Sequence, residues 1–507
     1  MKSGLGRVLL GAALLLVFAS APARAEWRRA ESPHFVVYSE ESEPDLRERI
    51  LLLENFRLLL RTMTTAAPGA ASDEQKLHIY VVKRDDLRVA RPVDLDVAGF
   101  YTATPDGIAA FVARDALDGN EVLFHEYTHH FMLQFAPNAY PSWYIEGFAE
   151  YFMTARLRPG QIEMGRVSDE RSRQLAAGEW LPMSEVLLFN HGAIDSGAFY
   201  AESWAAVHYF FSTDERRAAL TRYLAAVARG DDPHAAFEAT TGMSPARFDA
   251  ELRSYLRRGS VPTTIIRHAI PAPPPITVTV MPRSANDLML YEATLRIGVP
   301  DAYCNDQLHH VRAVAPRFAG DPTVRRLLAQ YEIRCGDAAA ADRLLDGLLA
   351  ETPNEAELLY LRGMRHLRAA RDDRSAAEMG LARQWFGRAH AANQSHYPTL
   401  YRYAESLRGG PDYISENTEN LLVLALQIAP QVDEIRLETA MMLMQRGEFG
   451  DAENILKPLV ASVHSGQRAQ RARDLIERAR RHVPPEEPAT PPPTTQPAAG
   501  GRPPAGH

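Results

Sequence analysis

Residues 121–151 read EVLFHEYTHHFMLQFAPNAYPSWYIEGFAEY and contain His125-Glu126-Tyr127-Thr128-His129. On a helix, positions four apart lie on one face, so the imidazoles of His125 and His129 converge on one point. Glu126, about 100° further round the helix, reaches a water at that same point. Val122, Leu123, Phe124, Tyr127 and Phe131 recur at helical spacing, after cap-type residues Asp118-Gly119-Asn120, and predict a partly buried helix. A second helix is expected at 142–151, where Glu146 and Glu150 stand one turn apart on one face. A catalytic zinc takes three protein ligands and keeps one position for water, so two histidines need a third donor. Glu146 is the candidate ligand. Glu150 is then placed to accept the outer N–H of a ligand histidine without itself touching the metal.

Upstream of this stretch, Phe35–Tyr38 and Leu77–Val82 read as strands, separated by a segment with helical apolar spacing at Glu43–Met63. Gly99 to Val112 reads as a hairpin turning at Pro105-Asp106-Gly107. Downstream the pattern is mostly helical, through Trp204–Phe211, Ala218–Ala226 and Phe248–Leu256. Strands followed by helices predict an α+β domain, a small sheet plus helices, over residues 26–260. Residues 261–300 are rich in proline, notably Pro271-Ala272-Pro273-Pro274-Pro275, and read as a linker between independently folding halves.

Residues 301–482 repeat small residues and prolines near a 34-residue period. Four units are laid out: Ala329, Ala341, Leu345, Leu348 and Pro353; Gly363, Ala382, Phe386 and Ala389 around an insertion at Arg371 to Met379; Ala404, Leu422, Ala425 and Pro430; Ala440, Ala452 and Leu456. These resemble degenerate tetratricopeptide repeats, which predicts an all-α solenoid; a generic array of helical hairpins remains open. Residues 483–507, rich in proline, glycine and alanine, lack the apolar content for a core and read as a disordered tail.

With 46% hydrophobic and 24% charged residues over 507 positions, the bulk of the chain is globular and long enough for several domains. Its 56 basic and 64 acidic residues give a net charge of −8, which supplies no electrostatic reason for a nucleic-acid partner. Lys2 and Arg7, the apolar run Val8–Ala19 and Ala23-Arg24-Ala25 read as a cleaved signal peptide over residues 1–25, giving a secreted or periplasmic mature chain with no membrane span. The two cysteines, Cys304 and Cys335, either pair in an oxidising compartment or stay as buried thiols.

HEYTHH followed by WYIEGFAEY resembles the gluzincin clan of zinc metallopeptidases, in particular the peptidase MA-like and alanyl-aminopeptidase-like families. The resemblance implies a zinc ion held by His125, His129 and Glu146, a water activated by Glu126, and hydrolysis of a peptide or protein substrate. Sixteen residues separate His129 from Glu146, fewer than in the aminopeptidases, and Ile145 replaces their asparagine; an exchange of roles between Glu146 and Glu150 stays open. The aminopeptidases' Gly-x-Met-Glu-Asn strand is missing, which favours an endopeptidase; Gly107–Phe111 is the candidate for the substrate-pairing edge strand. The segment YAESWAAVHYF from Tyr200 resembles their Tyr-Glu-Lys-Gly-Ala segment, whose tyrosine donates to the oxyanion, and this implies that role for Tyr200. His208 is its rival, by analogy with thermolysin-like enzymes. The helical repeats would dock a protein, as substrate or regulator. Two further readings stand beside this: an interaction scaffold whose zinc domain is structural or inactive, and hydrolysis of a non-protein amide such as a cell-wall peptide.

Overall fold

The computed structural model describes residues 26–64, 75–90, 98–114, 119–136, 138–158, 160–178, 180–188, 196–257, 261–267, 273–410, 413–461 and 466–485. The signal-peptide segment, the helix cap at Asp118 and the tail from residue 486 lie outside them.

The chain opens with β1 (Arg28–Glu31), β2 (Phe35–Ser39), α1 (Glu43–Met63), β3 (Leu77–Val82), α2 (Leu87–Ala90) and the hairpin β4 (Gly99–Ala103) and β5 (Ile108–Ala113). The motif helices are α3 (Gly119–Phe135) and α4 (Ser142–Met153). A small hairpin, β6 (Arg156–Arg158) and β7 (Gln161–Met164), leads to α5 (Asp169–Ala177), α6 (Met183–Val186), α7 (Ser196–Phe211), α8 (Asp214–Arg229), α9 (Pro233–Thr241) and α10 (Pro245–Arg257). Then come β8 (Thr264–Ile266), β9 (Thr277–Val280), α11 (Ala285–Ile297) and α12 (Asp301–Val314). The helical array continues as α13 (Pro322–Cys335), α14 (Ala338–Glu351), α15 (Ala356–Asp372), α16 (Ala376–Ala392), α17 (Tyr397–Leu407), α18 (Glu416–Ile428), α19 (Asp433–Gln445), α20 (Phe449–Ala461) and α21 (Gly466–Arg480). Among the described residues no helix is long and apolar enough to cross a membrane.

The main sheet has the order β4-β5-β3-β2-β1-β9, with β2, β3 and β5 parallel and the outer pairings antiparallel. Its central strands are nearly continuous apolar runs, the pattern of a sheet covered on both faces. On one face Phe35, Val37, Ile79, Ala110 and Val112 pack with Leu53 and Phe56 of α1 and Phe124 and Tyr127 of α3. On the other, Tyr38, Tyr80, Phe111 and Phe100 stack in a ladder with ring centroids 4.7–4.9 Å apart, and Met289 and Ala293 of α11 cover it.

That cover corrects the reading of 261–300 as a linker. Strand β8 pairs with β7, β9 extends the main sheet beside β1, and α11 closes its second face. Residues 268–272, with Pro271-Ala272, lie outside the described residues; among the described ones, α11 joins Leu87 and Ala90 of α2 over the sheet's second face. The edge-strand expectation for Gly107–Phe111 is also corrected: β5 lies between β4 and β3, and among the described residues the outermost strand on that side is β4.

From α13 on, the chain is a solenoid of helical pairs. The small and apolar positions read from the sequence fall inside it: Ala329, Ala341 and Leu345; Ala382, Phe386 and Ala389; Ala404, Leu422 and Ala425; Ala440, Ala452 and Leu456 are all buried. Gly363 is required at the α15–α16 crossing, where a Cβ would meet the Phe386 ring at 2.5 Å. Cys304 and Cys335 form a disulfide that staples α12 to α13.

The two halves are not separate bodies. Tyr397, Leu400 and Ala404 of α17, with Leu422, Ile435 and Met442, belong to the same apolar core as α1, α3 and α4. Polar contacts reinforce it: Tyr397 donates to the Thr104 carbonyl at 3.1 Å, Arg402 pairs with Asp106 at 2.9 Å, and Gln431 donates to Gln134 of α3 at 2.5 Å. The expectation of independently folding halves therefore gives way to a shared core. A fragment of residues 26–260 is expected to show no cooperative thermal melt where the mature chain shows one; a sharp melt from the fragment would show the shared core to be dispensable.

Candidate metal centre

Helix α4 starts at Ser142, with Pro141 in extended conformation at its N-cap, and lies against α3. Its partner on the other side is α7. Gly147 makes that approach possible, since a Cβ there would meet the Ser203 carbonyl oxygen at 2.3 Å. The glycine after Glu146 thus brings α7, and Tyr200 with it, against the helix that carries the carboxylates.

Between α3 and α4 three donor atoms converge. His125 Nε2 and His129 Nε2 are 3.0 Å apart, and Glu146 Oε2 lies 3.3 Å from each. Zinc bonded at roughly 2.0–2.1 Å to tetrahedral ligands spaces its donors about 3.3 Å apart, so this triangle has the dimensions of one face of such a site. Among the described residues this is the group of His, Cys, Asp or Glu side chains that can hold a metal ion.

Glu150 faces the other side of the same ring, with Oε1 3.5 Å from His125 Nδ1. Glu146 joins the two inward Nε2 atoms, and Glu150 addresses the outward nitrogen of His125. Burial opposes a charge on His125, but Glu146, Glu150 and Glu126 around it overcome that and push its pKa up to about 9. The pocket's field favours a cation.

Glu126 and His129 line a large cleft of about 2510 Å³, together with Glu146, Tyr101 and Thr102 of β4, and Tyr397, Glu405 and Gln431 of the repeats. One wall is thus the motif helix and β4, and another is the solenoid. Tyr200 stands beside His125, ring centroids 6.2 Å apart, and is not among the side chains that line the cleft. Burial first, then Glu146 and Glu150, hold its phenol well above the usual range, so it stays a donor.

The rival His208 is placed elsewhere. It is buried, its Nε2 bonds the Pro262 carbonyl at 3.0 Å and its Nδ1 the Tyr255 hydroxyl at 2.9 Å, so it ties α7 to α10 and to the chain entering β8. His130, next to a proposed ligand, meets the Tyr101 hydroxyl at 3.0 Å and links α3 to β4.

Sequence reasoning missed Arg171. Its guanidinium forks onto Glu150, Nε to Oε2 at 2.9 Å and Nη2 to Oε1 at 2.8 Å, and lies over the Tyr200 ring at 5.1 Å. It belongs to a polar helix 21 residues past Glu150, where no periodicity or motif marks it.

No protein family model matches the sequence, and no curated protein matches it. Similar solved structures include a thermophilic TPR protein of Thermus thermophilus, at 17% identity over 39% of this chain and 98% of that one, TM-score 0.30. MamA matches at 16% identity over 35% and 97%, TM-score 0.23, and yeast Tom70 at 11% over 72% and 75%, TM-score 0.27.

Burial pushes the His208 pKa down to about 4, below its ordinary value of 6.5. A depressed histidine stabilises the fold above its unfolded pKa, and that stability is lost as pH falls from about 6.5 to about 4. In urea titrations across this window, His208→Asn is expected to flatten the pH slope of stability by close to one proton. An unchanged slope would remove His208 as its source.

Proposed function

We propose that this protein is a zinc-dependent endopeptidase of gluzincin type, exported to the periplasm or beyond, which cleaves an extended polypeptide in the cleft between the motif helix and the helical repeats. The observation that carries the reading is the triangle of His125, His129 and Glu146 donors at zinc-ligand spacing, with Glu126 next to it and facing the cleft. Zinc held by His125, His129 and Glu146 would supply Lewis-acid chemistry and lower the pKa of a water. Glu126, facing the cleft, is the side chain that would carry a proton as general base and acid. Tyr200, held protonated beside His125, is the candidate donor to the oxygen on which charge develops. Strand β4, outermost of the sheet among the described residues and lining the cleft, is the candidate to pair with an extended substrate. Export rests on residues 1–25 as read in the sequence, and the Cys304–Cys335 bond is in keeping with an oxidising compartment.

The second reading is an interaction scaffold with a structural or inactive zinc site, favoured by the extent of cleft wall that the repeats contribute. Cleavage of a non-protein amide would use the same centre. Metal analysis, a broad peptide-library digest and a digest of cell-wall peptide by the mature chain separate the three: zinc without cleavage of either favours the scaffold, cleavage of the cell-wall peptide alone favours the non-protein amide, and peptide cleavage excludes the scaffold.

Glu126→Gln is expected to keep zinc and lose turnover, whereas Glu146→Ala loses the metal. Glu150→Ala weakens zinc affinity by about 10–100-fold. Loss of zinc in Glu150→Ala with retention in Glu146→Ala would reverse the ligand assignment. Tyr200→Phe is expected to lower kcat by about 10²–10³ with KM and zinc unchanged, and wild-type turnover in that variant would remove the tyrosine from the mechanism.

A further inference from the structure

We propose that Arg171 is a positioning residue of the metal centre, which fixes Glu150 as the acceptor for His125 and so tunes zinc affinity from outside the ligand set. The inference rests on the reading of His125, His129 and Glu146 as zinc ligands. Helix α5 is anchored at its start by Ser168, whose Oγ accepts the backbone N–H of Arg171 at 3.2 Å. From that fixed point the guanidinium presents Nε and Nη2 to the two oxygens of Glu150, a fork-on-fork contact that sets the carboxylate plane. Its Nη1 donates to Gln174 at 3.1 Å and lies 3.1 Å from Glu170, while its face rests on the Tyr200 ring. Its Nε, Nη1 and Nη2 and one face are therefore all engaged.

Glu150 needs such a partner. It is 1% exposed, and a carboxylate so buried is costly without a cation in direct contact. With Arg171 in place its Oε1 points at His125 Nδ1, 3.5 Å away. An acceptor there keeps the ring proton on Nδ1 and leaves the Nε2 lone pair for the metal. The chain Arg171–Glu150–His125 thus runs from a surface-side helix to the ligand atom. Lysine would carry the charge but not the planar fork or the stacking on Tyr200.

The test is a double-mutant cycle on the mature full-length chain, with zinc affinity measured by competition with a chromophoric chelator and the fold followed by circular dichroism. Wild type, Glu150→Gln, Arg171→Met, Arg171→Lys and the Glu150→Gln/Arg171→Met double variant are compared. Arg171→Met is expected to weaken zinc by about 10–100-fold, Arg171→Lys by less, and the double variant by no more than the weaker single. If Arg171→Met does not fold, Arg171→Lys and its combination with Glu150→Gln close the same cycle. Wild-type zinc affinity in the arginine variants, or losses that multiply in the double, would overturn the positioning role while leaving the metal reading intact. A wild-type chain that binds no zinc would remove the metal reading and this inference with it.

Discussion

Two carboxylates one turn apart on α4, Glu146 and Glu150, are buried at the point where three helices meet, and positive charge must be supplied to them there. Arg171 answers Glu150 with a bidentate contact. Close to Glu146 stand two imidazole nitrogens, each 3.3 Å from its Oε2. Helix α4 packs between α3 and α7, and α5 lies against α7. Gly147 lets α7 close in, Ser168 starts α5 where its arginine can reach, and the aromatic residues of α3 and α4 bury the outer faces of the same helices.

The repeats take part in that construction. Their helices α17 to α19 share the apolar core of the sheet domain, and the turn of the β4–β5 hairpin is held by Tyr397 and Arg402. The strand that borders the cleft is therefore placed by contacts from both halves. Gln431 reaches α3 itself. A solenoid fused in this way has one surface committed to the sheet domain and lines one cleft together with Glu126, His129 and Glu146.

Local elements, and the chemical groups they carry, were legible in the order of residues alone. The limits of α1 and β3 match the apolar periodicity, and the α3 and α4 spacing of His125, Glu126, His129, Glu146 and Glu150 could be read because helical geometry fixes which side chains share a face. The repeat positions were legible for the same reason, since small residues recur where helices cross. Features that depend on partners distant in the chain emerged only on folding. The proline-rich segment became two edge strands and a covering helix because the sheet's apolar second face needed one. His208 became a tether, β4 rather than β5 became the edge, and Arg171 joined the centre. Periodicity reports which face of an element is buried, but not what it is buried against, and a single arginine paired across 21 residues leaves no periodic trace.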